Sequence, residues 1–216
     1  SIAPFDTIDC EDPKWTPIVE ASFANWIWNG PGMWSGWCVP WASMLNTRVG
    51  NAPMAELWLD IWQRIFTNEG HGTLHDANVS GLSLMGRRGL DSQTPTRNEI
   101  MQLDAGLGCV AAIHEMLLHD RRGVNYLFRG APSRWKRVSI ANMLATGGVL
   151  VSAERIGGRV QTVTLTAKVA GVFKLANPFA DGGYTVAPGF TGGITEASGV
   201  IELKMKKGAT AVLRAL

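Results

Sequence analysis

Charge is scarce in this chain. Charged side chains make up 18% of its 216 residues, and the formal net charge is +2. The basic residues are scattered, so neither a nucleic-acid partner nor an electrostatic footprint for one is expected. Uninterrupted apolar runs of about 18 residues are also missing, so no membrane span is expected. The three cysteines, Cys10, Cys38 and Cys109, are an odd number without metal-ligand spacing. That argues against a disulfide framework. One bridge with a spare thiol stays open, and buried apolar thiols are the favoured reading. The chain contains no Gly-x-Ser-x-Gly elbow, no His-Glu-x-x-His pair and no phosphate-cradling glycine loop followed by Lys-Ser/Thr. A marked serine nucleophile, a zincin centre and a nucleotide-binding loop therefore drop out, and no cofactor or metal is expected. The chain starts at Ser1 with no initiator Met and shows no signal-peptide pattern. The chain thus reads as a processed product or a fragment of something larger.

What the chain does have is apolar surface, at 46% of residues, and nine tryptophans, eight of them before residue 63. Residues 1–123 read as helical. Asn51 is a natural N-cap with Pro53 tolerated in the first turn. Met54, Leu57, Trp58, Ile61 and Ile65 then form one apolar face, and Gly70 serves as a stop. Helices are also expected over 15–28 and 33–47, divided by Asn29-Gly30-Pro31-Gly32. Trp34, Trp37 and Trp41 would share one face of the second. These faces are too rich in Trp for four helices to bury unaided, so this half reads as the end of a larger helical assembly.

From 124 to 216 the pattern changes. Val200-Ile201-Glu202-Leu203-Lys204-Met205-Lys206 alternates as a half-buried strand does. Gly157-Gly158 separates strand-like runs at 149–156 and 159–165, as a two-residue hairpin turn would. Further strands are expected near 169–176 and 209–215, with Asp181 to Gly199 mostly loop. Arg121-Arg122-Gly123 is the expected junction. The fold class is α+β in two parts, a helical segment followed by a small antiparallel β-sandwich.

One stretch concentrates the chemistry. Asp104 opens what reads as a helix, three residues before an i, i+3, i+4, i+7 stripe of Leu107, Val110, Ala111, His114, Leu117 and Leu118. An aspartate there is either an N-cap or a tool. Its oxygen can accept from free backbone N–H groups, and the helix dipole favours its ionised form. A carboxylate of that kind suits a general base. Trp34, Trp37 and Trp41 offer flat faces for a sugar ring or for core packing. His71 and His75 lie four apart but in a glycine-rich loop, which does not fix metal geometry. His114 reads as a hydrogen-bonded core residue.

These pieces together carry a resemblance. Gln102-Leu103-Asp104-Ala105-Gly106-Leu107-Gly108, followed by Ala111-Ala112-Ile113-His114-Glu115-Met116-Leu117-Leu118, resembles glycoside hydrolase family 95. Its members are inverting α-L-fucosidases and related α-L-galactosidases. Ser35-Gly36-Trp37 with Trp41 resembles the family's Gly-Trp-Ser-x-x-Trp helix. Gly72-Thr73 and Leu74-His75-Asp76-Ala77 resemble its Gly-Gly-Thr and Leu-Phe-Asp-Ala segments. The likeness spans about residues 30–120. It departs in two places. Ala105-Gly106-Leu107-Gly108 replaces Gly-Asn-Phe-Gly, and about twenty extra residues intervene near Asn78 to Arg97, with Asn98-Glu99-Ile100 in place of His-Pro-Pro.

The resemblance implies that the helices are the last few of an (α/α)6 barrel, with a β domain after it. It implies that Asp104 is the catalytic base. Trp37, Trp41, Trp34, His75 and Gln102 are the candidate substrate-binding residues, for a carbohydrate substrate. An inverting mechanism also needs a general acid, and the family's acid has no counterpart here. That leaves it to an N-terminal part of the same polypeptide or another copy. A periplasmic or secreted setting follows from the same likeness. The alternative reading is a non-catalytic carbohydrate-binding or architectural module in which Asp104 only caps its helix.

Overall fold

A computed structural model describes residues 1–3, 5–78, 100–179 and 182–216. The expected extra segment near Asn78 to Arg97, together with Asn98, Glu99 and Asp181, lies outside the described residues, Asn78 itself excepted. Among the described residues the fold is α+β, with four helices preceding two mainly antiparallel sheets of five strands each. The chain divides into two compact units, Ser1–Glu115 and Met116–Leu216. The division falls within the last turn of a helix rather than at the Arg121–Gly123 step.

The first unit holds α1 (Thr16–Asn29), α2 (Cys38–Arg48), α3 (Ala52–Ile65) and most of α4 (Leu103–Leu117). Gly30 follows α1 with φ 68°, a conformation that suits glycine, and its N–H returns to the Ile27 carbonyl. The α2–α3 turn is short because Gly50 takes φ 79° and Asn51 caps α3, its side chain accepting from the Met54 N–H at 3.3 Å. Inside that pair the Ser43 hydroxyl donates to the Ala55 carbonyl at 2.8 Å. The core gathers Trp34, Val39, Ala42, Phe66 and Ala77, with Trp58, Ile61 and Ile65 packed against it. Arg48, at the end of α2, forks onto Glu115 of α4 at 2.8 and 2.9 Å and reaches Asp6 at 2.6 Å. Burial alone would lower the pKa of this guanidinium. The two carboxylates outweigh that, and the net direction is upward.

Three sequence expectations change here. The second helix begins at Cys38, not at residue 33, so Trp34 and Trp37 precede it. The third ends at Ile65, and Gly70 belongs to a later turn in which Asn68 Oδ1 accepts from the Gly72 N–H at 2.8 Å. The largest change is in α4. Its buried face is Ala105, Gly108, Ala112 and Met116, while Leu107, Val110, Ala111 and His114 point outward. The 3.6-residue period was legible. The choice of face was not, because small residues pack closest and the larger apolar ones were left exposed.

The second unit is two sheets. One runs β1 (Leu118–Arg121), β2 (Val124–Leu127), β6 (Gly171–Ala176), β9 (Val200–Met205), β8 (Gly193–Ala197). The other runs β3 (Arg137–Ala145), β4 (Val149–Ile156), β5 (Arg159–Ala167), β10 (Thr210–Ala215), β7 (Tyr184–Val186). All pairings are antiparallel except β2 with β6. Alternate residues of both sheets enter one buried cluster. Phe173, Leu175, Ile201 and Leu203 come from the first, and Val151, Val163, Leu165 and Leu213 from the second. Gly157 and Gly158, with φ 57° and 84°, make the two-residue turn between β4 and β5. Arg122 and Gly123, expected to be a junction, make a second such turn between β1 and β2, with φ 50° and 81°. Two strands, β7 and β8, occupy the stretch expected to be loop.

Arg155 in β4 is buried, and among the described residues it has no carboxylate partner. Its guanidinium donates to the carbonyls of Ala131 and Pro132 at 2.8 Å each and Trp135 at 3.4 Å, and burial lowers its pKa. It thereby pins the irregular 131–135 segment. Arg155→Met should leave those carbonyls without their donor and cost about 3 kcal/mol, read as a lower urea midpoint at unchanged slope. Arg155→Lys should recover less than half of that, since one ammonium does not reproduce a planar fork.

Candidate functional site

The site is built where three separate segments meet. Residues 66–67, 73–75 and 100–102 form short extended pieces joined by bridges between Thr67 and Thr73 and between Leu74 and Met101. Gln102 is the hub. Its N–H donates to the Thr73 carbonyl at 2.9 Å, its carbonyl accepts from the Thr73 hydroxyl at 2.7 Å, and its Oε1 accepts from the Trp37 N–H at 2.9 Å. The Gly36 N–H donates to the His75 carbonyl at 2.9 Å, and the His75 N–H to Ile100 at 2.8 Å. These bonds explain the late start of α2, because residues 36 and 37 spend their donors on the loop instead of on a helical turn.

Glycines allow the approach. A methyl group on Gly36 would lie 2.1 Å from the Leu74 carbonyl oxygen, on Gly106 2.7 Å from the Thr73 methyl, and on Gly108 2.4 Å from the Trp37 ring. Thus Trp37 lies against α4 one turn beyond Asp104, and the loop carrying Thr73 lies against its first turn. Gly106 and Gly108 are the positions at which no side chain fits.

Asp104 stands in the first turn of α4, inside the helix and not at the N-cap. Its carboxylate accepts from the Ala105 N–H at 3.1 Å, and among the described residues it has no other hydrogen bond. The side chain is exposed, not directed into this chain as the stripe suggested. On the same helix and just before it, Met101, Leu103 and Leu107 are exposed to 72%, 65% and 64%, and Ile100, Val110 and Ile113 are exposed as well.

The other candidates divide between two places. His75 and Gln102 sit in the loop cluster. His75 Nδ1 meets Asp76 Oδ1 at 2.7 Å, and the Asp76 side chain is only 3% exposed. In the sequence Asp76 stood out only as part of the Leu-Phe-Asp-Ala likeness, without a role of its own; its buried Oδ2 has no hydrogen-bond partner among the described residues. Trp34, Trp37 and Trp41 instead line a cleft of about 450 Å³ with Phe23, Trp26 and Leu45. Trp34 is buried, stacked on Trp26 at 4.7 Å and tilted against Trp58 at 5.1 Å. Trp37 meets Trp41 edge to face at 5.9 Å.

A second cleft holds Cys109, Asp60, Trp62, Gln63, His71 and Ile113. Burial pushes the Cys109 thiol up to about 11. Among the described residues no cluster of three or more His, Cys, Asp or Glu could hold a metal ion, and no helix is long and apolar enough to cross a membrane. Comparison with family models and with curated proteins finds no match for this chain.

Two predictions follow from this geometry. Gly36→Ala should push residues 36–37 off the 74–75 segment and cost about 1–3 kcal/mol, seen as a lower melting temperature. Cys109 should resist alkylation at pH 8, because a thiol near 11 is then about one part in a thousand thiolate, against about one in four for an ordinary cysteine. Iodoacetamide labelling followed by peptide mass analysis should give a rate about two orders of magnitude below a free thiol. That rate should rise about tenfold per pH unit up to pH 10.

Proposed function

We propose that this chain carries the closing helices of an (α/α)6-barrel catalytic domain and the β-sandwich that follows it, in an inverting glycoside hydrolase acting on α-L-fucosyl or related glycosides. Asp104 is the general base. It takes a proton from a water molecule that attacks the anomeric carbon on the face opposite the leaving group. A carboxylic acid outside these residues, roughly 6.5–9.5 Å from Asp104, protonates the leaving oxygen. That acid comes from the rest of the polypeptide or from another copy.

The observation that carries the reading is convergence. The three pieces that resemble the glycosidase family, at 35–41, 72–77 and 102–108, are far apart in sequence and meet at Gln102. They bring Trp37, Thr73 and the first turn of α4 together, the arrangement that a base on a helix mouth needs. A cap reading fits less well, since the Asp104 carboxylate takes only its own neighbour's N–H. The exposed apolar residues beside it fit a helix whose partners lie elsewhere. Gln102 keeps its Nε2 as a donor, and His75 its second ring nitrogen, for sugar hydroxyls.

In the whole protein, Asp104→Asn should lower kcat for an aryl α-L-fucoside by about three orders of magnitude or more with little change in KM. Proton NMR of the first product formed should show the inverted anomer. Near-normal turnover in that variant ends the assignment. Sugar binding without any turnover in the unmodified protein would move it to a non-catalytic module.

A further inference from the structure

The Trp cleft is more apolar than a sugar site. Its walls are Phe23 and Trp26 of α1, Trp34 and Trp37 before α2, and Trp41 and Leu45 within it. The hydroxyls on it are those of Ser1 and Ser22, and Ser22 already donates its proton to the Ile18 carbonyl at 2.7 Å. Among the described residues no charged side chain lines the cleft. A hexose or deoxyhexose entering it would lose hydration from several hydroxyls and find almost no partners. Each unpaired hydroxyl carries a penalty of about 1–3 kcal/mol. A flat apolar ring loses nothing of the kind and gains indole surface.

The ring geometry supports the same choice. Trp26 stacks on Trp34, with Phe23 edge-on at 6.2 Å, and both Phe23 and Trp26 contribute to the cleft wall. Trp37 and Trp41 stand at 78° to each other, so a ring stacked on one receives the edge of the other. The volume, about 450 Å³, lies in the range of small-ligand pockets. Trp37 also packs on Gly108 of α4, one turn from Asp104.

We infer that this cleft is a binding site for a neutral, flat, apolar group of one or two fused rings, and that in a glycoside substrate it takes the aglycone while the sugar stays outside it. The second half of that statement rests on the glycosidase reading; the first does not.

The probe is 2-naphthol, titrated calorimetrically against the whole protein. Saturable one-to-one binding is expected, with Kd of order 100 µM. L-Fucose at the same concentrations should not compete. Ser22→Phe, on the exposed side of α1, should block the cleft and weaken binding at least about tenfold, with the circular-dichroism spectrum retained. Trp41→Ala should weaken it similarly, and Leu57→Ser, away from the cleft, should leave it unchanged. Absence of saturable binding, or binding that Ser22→Phe leaves intact, overturns the site. If 2-naphthol binds normally but naphthyl fucosides are not hydrolysed, the cleft stands and the glycosidase reading fails. If fucosides are hydrolysed but Ser22→Phe does not raise KM for the naphthyl over the methyl glycoside, the aglycone assignment fails.

Discussion

A single amide side chain holds the first unit's site together. Gln102 closes one loop with its backbone and a second with its side chain, so Trp37, Thr73 and the start of α4 share one anchor. Each bond is ordinary in strength, about 1 kcal/mol net. Their importance is geometric. The Trp37 N–H would otherwise belong to a helical turn, and its diversion to Gln102 sets where α2 begins, which way the indole faces, and how near the loop comes to α4. Gly36, Gly106 and Gly108 are the counterpart of this tie, because the segments it draws together leave no room for a side chain at those points.

Much of the architecture was legible as periodicity. The β4 and β5 strands and their Gly157-Gly158 turn follow from alternation and turn chemistry, and Asn51 announced α3. What stayed hidden has physical causes. β3 carries a bulge between Ile140 and Met143, with Asn142 at φ 53°. The bulge flips the alternation midway, burying Val138 and Ile140 but exposing Leu144. β8 is an edge strand with almost nothing to bury, so its sequence reads as loop. For the candidate site, Asp104 and Gln102 were singled out through motif, and Trp37 and Trp41 through aromatic density. The direction Asp104 faces was misread because the helical period gives two candidate faces and only packing chooses between them. Asp76 went without a role because a buried carboxylate beside a histidine has no spacing signature.

The exposed face of α4 and the Trp cleft are different kinds of surface. On α4, Leu103, Leu107 and Val110 stand out convexly around one carboxylate. The cleft is concave and lined by rings already fixed against one another. A convex apolar ridge is matched by another helix, whose side chains fill its grooves. A concave aromatic pocket is matched by a small rigid group, which gains contact without ordering many bonds. One chain thus presents surfaces suited to a macromolecular neighbour and to a small molecule, the Trp37 ring meeting α4 at Gly108 on the buried face of that helix.

The distribution of indoles gives the two units different optical characters. Trp26, Trp34 and Trp58 lie with ring centres 4.7 and 5.1 Å apart in sequence, close enough for their excited states to couple. The second unit has only Trp135. Indole emission and any exciton band in the ultraviolet spectrum therefore report almost wholly on the helical unit. The peptide region of the spectrum registers the sheets as well. The helical unit can thus be followed through its indoles with no label added.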